Sequence, residues 1–333
     1  MTVGARRRVR LRRNLVCVGD GVRDETGAMT QEETARRSSA WGIAMLLVVV
    51  LAWGTVWPVN KALLAYMPPI WSIALRISIS TLALFAISGL VTGIVVPKRG
   101  DAPVLISMVL LHMVGFTVLA TLALQFVPAG QSTILAYTSV LWAPLGAAVF
   151  LGERLSLRRA LGLGIGMLGL LVIFNPLAFD WSDTQAVAGN AALLVAAMLW
   201  GASIVHNRSH VWRSTPFQLA PWQALLAAVL LVLIALAVEG PPVIDWNLRS
   251  LLLLLFASIP GTALAYWAAA VSSSELPAAT TGLGLLGVPA VSIVVAMGLL
   301  GEQPTVPVIA ALALLLLGVL VGISGSTASA QRR

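Results

Sequence analysis

The stretch Ala52-Trp-Gly-Thr-Val-Trp-Pro-Val-Asn-Lys61 returns 147 residues later as Leu199-Trp-Gly-Ala-Ser-Ile-Val-His-Asn-Arg208. Trp53-Gly54 matches Trp200-Gly201, Asn60 matches Asn207, and Pro69 matches Pro216 at the same spacing. Further on the offset becomes 149: Pro128-Ala129 reappears as Pro277-Ala278, Leu151-Gly152-Glu153 as Leu300-Gly301-Glu302, and Gly169 as Gly318. The chain is written twice. A unit that crosses a membrane an odd number of times must enter its second copy from the opposite face. Inverted repeats of this kind are how many secondary transporters achieve alternating access.

Composition places the repeat in lipid. Of 333 residues, 59% are hydrophobic and 10% charged, and mean hydropathy is +0.93. Soluble domains carry about 25% charged residues, so this chain has no polar shell with which to face water. From Trp41 onward, apolar runs of about 20 residues alternate with short joins, the length a bilayer-spanning helix requires. The expected spans are roughly 41–60, 71–95, 103–124, 129–150, 157–174, 187–206, 216–237, 250–271, 277–299 and 306–324. The fold class expected is therefore all-α integral membrane, with ten transmembrane helices built from two inverted five-helix repeats, 41–174 and 187–325.

Positive charge gives the orientation. With the N-terminus inside, 18 of the 21 Lys and Arg residues fall on inner segments, and the outer loops hold only Lys61 and Arg249. Residues 1–38 hold nine of those arginines and read as a disordered basic cytoplasmic tail. Met29 is an alternative start, and discarding everything before it leaves 11 inside charges against 2. Residues 326–333 form the second cytoplasmic tail. The expected localisation is thus the inner or plasma membrane, multi-pass, with both termini cytoplasmic. Arginines in a tail and short loops do not form a nucleic-acid surface. A single cysteine, Cys17, permits no internal disulfide, and no Cys/His cluster has metal-ligand spacing. No P-loop is present. No cofactor is expected; the expected partners are a small-molecule substrate and the lipid bilayer, and the oligomeric state is left open.

Read together, Ala52–Lys61, Pro68-Pro69, Ala74-Leu-Arg76 and Leu151-Gly-Glu-Arg-Leu155 before the helix bearing Gly162, Gly164, Gly166 and Gly169 resemble the EamA-type repeat of the drug/metabolite transporter superfamily. The resemblance covers about 41–325, both copies. It implies a ten-helix carrier with a central cavity lined mainly by helices 1, 3, 4, 6, 8 and 9, exporting a small amphipathic metabolite, amino acid or drug-like solute. An intramembrane enzyme, or a non-transporting receptor or assembly factor, is the alternative. The second copy departs from the first, with Gln223 in place of Arg76 and His206 in place of Val59.

The substrate-binding candidates are the polar and aromatic side chains at mid-span. Trp53, Trp57 and Asn60 share one helical face at i, i+4 and i+7, and Trp200, Ser203 and Asn207 repeat it. Pro58 removes one helix hydrogen bond beside that face. Aromatic walls with a few polar groups suit a pocket for organic solutes. Arg76 is the one clear charge within a span, where lipid exposure costs about 2.5–3.5 kcal/mol. A structural fork or a snorkelling side chain is placed first for it, and a counter-charge for an anionic group second. His112, with Phe116 one turn on, is the proton-coupling candidate, since imidazole titrates near neutral pH; a hydrogen-bonded structural histidine is the alternative. Tyr137 and Trp142, Tyr266 and Trp267, and Thr280 and Thr281 complete the set. Glu153 and Glu302 are expected to be structural, each accepting backbone N–H groups of the helix that comes after it. No catalytic residue and no metal ligand is expected.

Overall fold

The computed structural model describes residues 31–153, 156–174 and 181–323. Among them the chain is helical throughout, with no strand. The helices are α1 (Gln31–Leu63), α2 (Pro69–Val91), α3 (Arg99–Ala123), α4 (Ala129–Phe150), α5 (Leu157–Phe174), α6 (Thr184–Ser209), α7 (Pro216–Val238), α8 (Leu248–Glu275), α9 (Ala278–Leu285, then Gly287–Leu300) and α10 (Val306–Ile323). Eight of these are long and apolar enough to cross a bilayer, and within α10 Val306–Gly322 forms a shorter apolar helix. Residues up to Ala40 group apart from Trp41–Arg333. Residues 1–30 and 324–333, where most of both expected tails falls, lie outside the described residues. The reading of 1–38 as disordered is corrected for 31–38, whose backbone is helical. The run Gln31-Glu-Glu-Thr-Ala-Arg-Arg37 is rich in good helix formers, and their propensity outweighs the polarity on which the reading relied.

Local chemistry sets the helix starts. Asp183 accepts the N–H groups of Gln185 and Ala186 at 3.1 and 3.0 Å, opening α6. Thr215 with Gln218 and Asn247 with Ser250 form capping boxes at α7 and α8. The repeated Leu-Gly-Glu is a helix stop made twice. Gly152 and Gly301 adopt φ of 66° and 69°, a conformation open to glycine. The N–H groups of Glu153 and Glu302 then reach back to the carbonyls of Ala147 and Ala296, each at 3.3 Å.

Packing obeys the same duplication. Helices α2 and α7 bury Ile73, Leu84, Leu219 and Leu231 between them and against α3 and α8. Helices α5 and α10 meet along glycines: a Cβ on Gly162 would stand 2.4 Å from the Gly318 carbonyl, and one on Gly318 would stand 2.5 Å from the Gly162 carbonyl. Only hydrogen fits there, and the backbones touch. Gly54 packs on Val288 and Val291 of α9, while its match Gly201 packs on Ser139, Trp142 and Ala143 of α4. Large apolar side chains such as Leu82, Leu90 and Phe150 are left exposed, as lipid permits and water does not.

Four helices are irregular at mid-length. Met108–Phe116 of α3 and Ile259–Leu264 of α8 are wound as π-helix. In both, a glycine sits over the carbonyl five residues back: a Cβ on Gly115 would lie 2.8 Å from the Leu110 oxygen, and one on Gly261 3.0 Å from that of Phe256. Helix α4 breaks at Thr138 and α9 at Leu286. Pro289 cannot donate to the Leu285 carbonyl, and the Leu286 N–H instead bonds Leu283 at 3.2 Å, a tightened turn. Helix α1, by contrast, runs unbroken through Pro58. The irregular turns lie instead in α3, α4, α8 and α9.

Candidate functional site

The irregular turns of α3 and α8 face a common cavity of about 110 Å³. From α1 it takes Trp53, Val56, Trp57 and Asn60, one face of one helix as the i, i+4, i+7 spacing dictates. The π-wound part of α3 contributes His112, Met113 and Phe116, and α4 contributes Tyr137 just before its break. Trp200 enters from α6; Gly261, Thr262 and Tyr266 enter from α8. A π turn widens the helix and rotates the residues beyond it, which is how α3 presents these side chains to one space; such turns recur at functional sites.

The walls are aromatic and mutually braced. His112 stacks on Trp200, with ring centroids 5.4 Å apart and planes at 18°. Phe116 lies 5.0 Å from Trp200 and 6.2 Å from Trp57, and Tyr137 meets Trp200 edge-on at 5.3 Å. On the far side Trp53 meets Tyr266 edge-on at 6.0 Å. Ring pairs in these geometries contribute about 0.5–1.5 kcal/mol each beyond their buried area.

Its polar groups are few. The Arg76 guanidinium, 8% exposed, donates to Thr262 Oγ1 at 3.1 Å, and Thr262 in turn donates to the Ala257 carbonyl at 2.8 Å. No carboxylate among the described residues pairs with Arg76. His112 Nδ1 is buried and without a hydrogen-bond partner among the described residues. Snorkelling is thus not what Arg76 does: α2 does supply a cavity wall, through Arg76 and Ile77. Thr262 was not anticipated from the sequence, although Pro260-Gly261 in mid-span marks the distortion that exposes it.

Six of the sequence candidates do not reach this cavity. Ser203 is buried and turns back to the Trp200 carbonyl at 2.7 Å. Asn207 lies nearer the helix end, its buried Oδ1 unpartnered among the described residues. Trp142 lines a separate groove of about 510 Å³ between α4 and α6, with His206, whose Nδ1 lies 2.7 Å from Ser107 Oγ. Trp267 packs with Met45, Val49 and Ala268 instead. Thr280 is exposed, and Thr281 is turned to the Pro277 carbonyl at 3.5 Å. Helix α9 supplies no wall. The cause throughout is helix rotation, which a single sequence leaves unspecified, and for α9 its break as well.

Glu302 and Glu153 act between halves rather than on the helices that come after them. The Glu302 carboxylate accepts the N–H groups of Ala129 and Gly130 at 2.9 and 3.3 Å, capping α4, and lies 3.4 Å from Lys61 Nζ. Glu153 pairs with Arg208 at 2.9 Å. Both are structural contacts, but the helix start that Glu302 satisfies belongs to the other copy.

Comparison with known proteins fits this geometry. The chain is 25% identical over 274 residues to "Uncharacterized transporter YoaV" of Bacillus subtilis, covering 82% of this chain and 94% of that one. It is 27% identical over 296 residues to "Probable amino-acid metabolite efflux pump" of Salmonella typhimurium, covering 84% and 94%. A shorter match, 36% over 105 residues, is to "Riboflavin transporter" of Rhizobium johnstonii, covering 31% and 32%. One solved crystal structure superposes with a TM-score of 0.61 over 86% of this chain and 95% of its own, at 20% identity, and so shares the fold. The model of the EamA-like transporter family matches twice, over residues 40–175 and 187–323. Those two matches span every helix that builds the cavity, and with its many apolar spans this multi-pass integral membrane protein belongs to the EamA-like transporter family.

Proposed function

We propose that the chain is a secondary-active carrier that exports a small amphipathic organic solute, holding it in the aromatic cavity between α1, α2, α3, α4, α6 and α8. The observation that carries this reading is that cavity: a preformed, mostly apolar space at mid-span with a few convergent polar groups. The relative named as an efflux pump supports the direction.

The same proposal takes the helices as ten spans in two inverted repeats, 41–174 and 187–325, with both termini cytoplasmic. Partner exchange supports it. Lys61 of the first copy meets Glu302 of the second, and Arg208, the match of Lys61, meets Glu153, the match of Glu302. The π turns of α3 and α8 and the breaks of α4 and α9 fall in matching helices too. Two such halves rocking about the cavity would open it to one face at a time.

Reconstitution tests the function. Purified protein in liposomes is expected to give saturable, trans-stimulated counterflow of one member of a labelled metabolite panel. Linear, unsaturable flux would make it a channel, and turnover of a lipid or peptide would make it an enzyme.

A further inference from the structure

We infer that the cavity is anion-selective: it takes an organic carboxylate with a compact apolar body and discriminates against the zwitterion and the cation built on the same body. The inference rests on the cavity being the substrate site, and adds the charge class of the solute that enters it.

Arg76 is an uncompensated cation. Its guanidinium is buried at mid-span, and its one hydrogen bond among the described residues goes to a neutral hydroxyl, that of Thr262. No Asp or Glu lines the cavity. The described carboxylates that bond backbone or cations do so at helix ends: Asp101 with His210 and the Arg213 N–H, Asp183 with the N–H groups of Gln185 and Ala186, Glu239 with the N–H groups of Ile70 and Trp71, Glu302 with Lys61, and Glu153 with Arg208. A buried charge demands a partner, and within this cavity the partner must come from outside the chain. A guanidinium fork matches the two oxygens of a carboxylate. His112 lines the same cavity with its ring, its Nδ1 being buried and without a hydrogen-bond partner among the described residues.

An ammonium group has no counterpart here. It would enter a space whose fixed charge is positive, with no carboxylate to receive it. One face of Trp200, which could attract a cation, is covered by the His112 ring. The body that fits is small: the cavity, half enclosed rather than sealed, has about 110 Å³ of free space, less than the roughly 150 Å³ sealed cavity that holds one benzene, so a single ring fills it and any chain beyond the ring lies toward the opening. A carboxylate on a single ring or a short branched chain meets both conditions, and an amino acid of the same size meets one.

The test compares 3-phenylpropionate, phenylalanine and phenethylamine, which share a phenyl body and differ in charge, by calorimetry on the purified full chain in detergent. Phenylpropionate is expected to bind about tenfold or more tightly than either of the others. Arg76→Gln is expected to erase that preference, and Arg76→Lys, which keeps the charge but not the fork, to retain part of it. Equal binding of phenylalanine or phenethylamine, absence of phenylpropionate binding, or an undiminished preference in Arg76→Gln would each overturn the inference. Should Arg76→Gln fail to fold, the ranking in the unmodified protein decides alone. Counterflow in liposomes separates this from the carrier reading. Anion-selective binding without exchange removes carriage and leaves the selectivity. Saturable exchange of phenylalanine with no charge preference does the reverse.

Discussion

Lys61 Nζ lies 3.4 Å from the Glu302 carboxylate, joining α1 to the turn after α9 across 241 residues of chain. The same nitrogen donates to the Val127 carbonyl at 2.7 Å, just before the α4 start that Glu302 caps. Three segments from both halves of the chain are thereby tied at one point. Its counterpart, Arg208 with Glu153, is an ion pair more open to solvent, the two side chains being 50% and 34% exposed against 26% and 18%.

That asymmetry predicts unequal costs. Glu302→Ala strands two backbone N–H groups and leaves Lys61 only the Val127 carbonyl, and losing a cap of this kind costs about 0.5–2 kcal/mol, so a clear fall in the midpoint of thermal unfolding in detergent is expected. Arg208→Ala breaks an exposed pair, worth about 0–1 kcal/mol, and is expected to leave that midpoint nearly unchanged. Equal falls in the two variants would show that the caps on α4 contribute nothing of their own.

The α5–α10 seam makes a sharper prediction, because its obstacle is backbone. Gly162→Ala would set a methyl 2.4 Å from the Gly318 oxygen and 2.8 Å from the Gly322 nitrogen, neither of which can rotate away. Separating the helices is expected to cost about 1–3 kcal/mol. Gly164, farther along the same helix, has open space where a Cβ would go, and Gly164→Ala is expected to be neutral or slightly stabilising through helix propensity. Comparing the detergent stabilities of the two alanine variants checks this; a destabilised Gly164→Ala with a tolerated Gly162→Ala would reverse the assignment of faces.

How much of this could be read beforehand differs by level. Span positions were legible because lipid imposes a length and a polarity on a crossing helix; the runs expected at 129–150 and 216–237 are the apolar helices Ala129–Phe150 and Pro216–Val238. The face of α1 was legible too, since Trp53, Trp57 and Asn60 are locked together by 3.6-residue periodicity. The cavity's far wall was not. Periodicity says which residues share a face but not where the face points, so Ser203 and Asn207 were drawn in with Trp200, yet only Trp200 arrives. The π turns change the phase of α3 and α8 within a single helix, and that shift brings Thr262 beside Arg76 without any signature beyond a mid-span Pro-Gly pair.

Thr262 carries the third prediction. Its hydroxyl accepts from Arg76 and donates to Ala257, so it fixes where the guanidinium stands. Thr262→Val keeps the volume and removes the acceptor, and hydrogen bonds to charged groups are worth about 1.5–3 kcal/mol. Binding of 3-phenylpropionate is expected to weaken by about tenfold, and Thr262→Ser, which restores the oxygen, is expected to recover it. Loss in both variants would mean that the methyl group, as packing, is what matters there.

His112 separates two roles that its position alone would allow. Its ring is part of the aromatic wall, stacked on Trp200, while its Nδ1 has no hydrogen-bond partner among the described residues. Were the imidazole part of the wall that holds the solute, His112→Gln would keep a hydrogen-bonding group but lose the stack, weakening binding several-fold and leaving the effect of an imposed pH difference the same as in the unmodified protein. Were it the coupling group, the same substitution would leave exchange at equilibrium intact and abolish the response to the gradient, since glutamine cannot take up a proton. The first outcome is expected, because one buried cation already stands in this cavity and a second on His112 would have no carboxylate to balance it. Counterflow and gradient-driven flux measured on the same liposomes, with and without an imposed pH difference, distinguish the two.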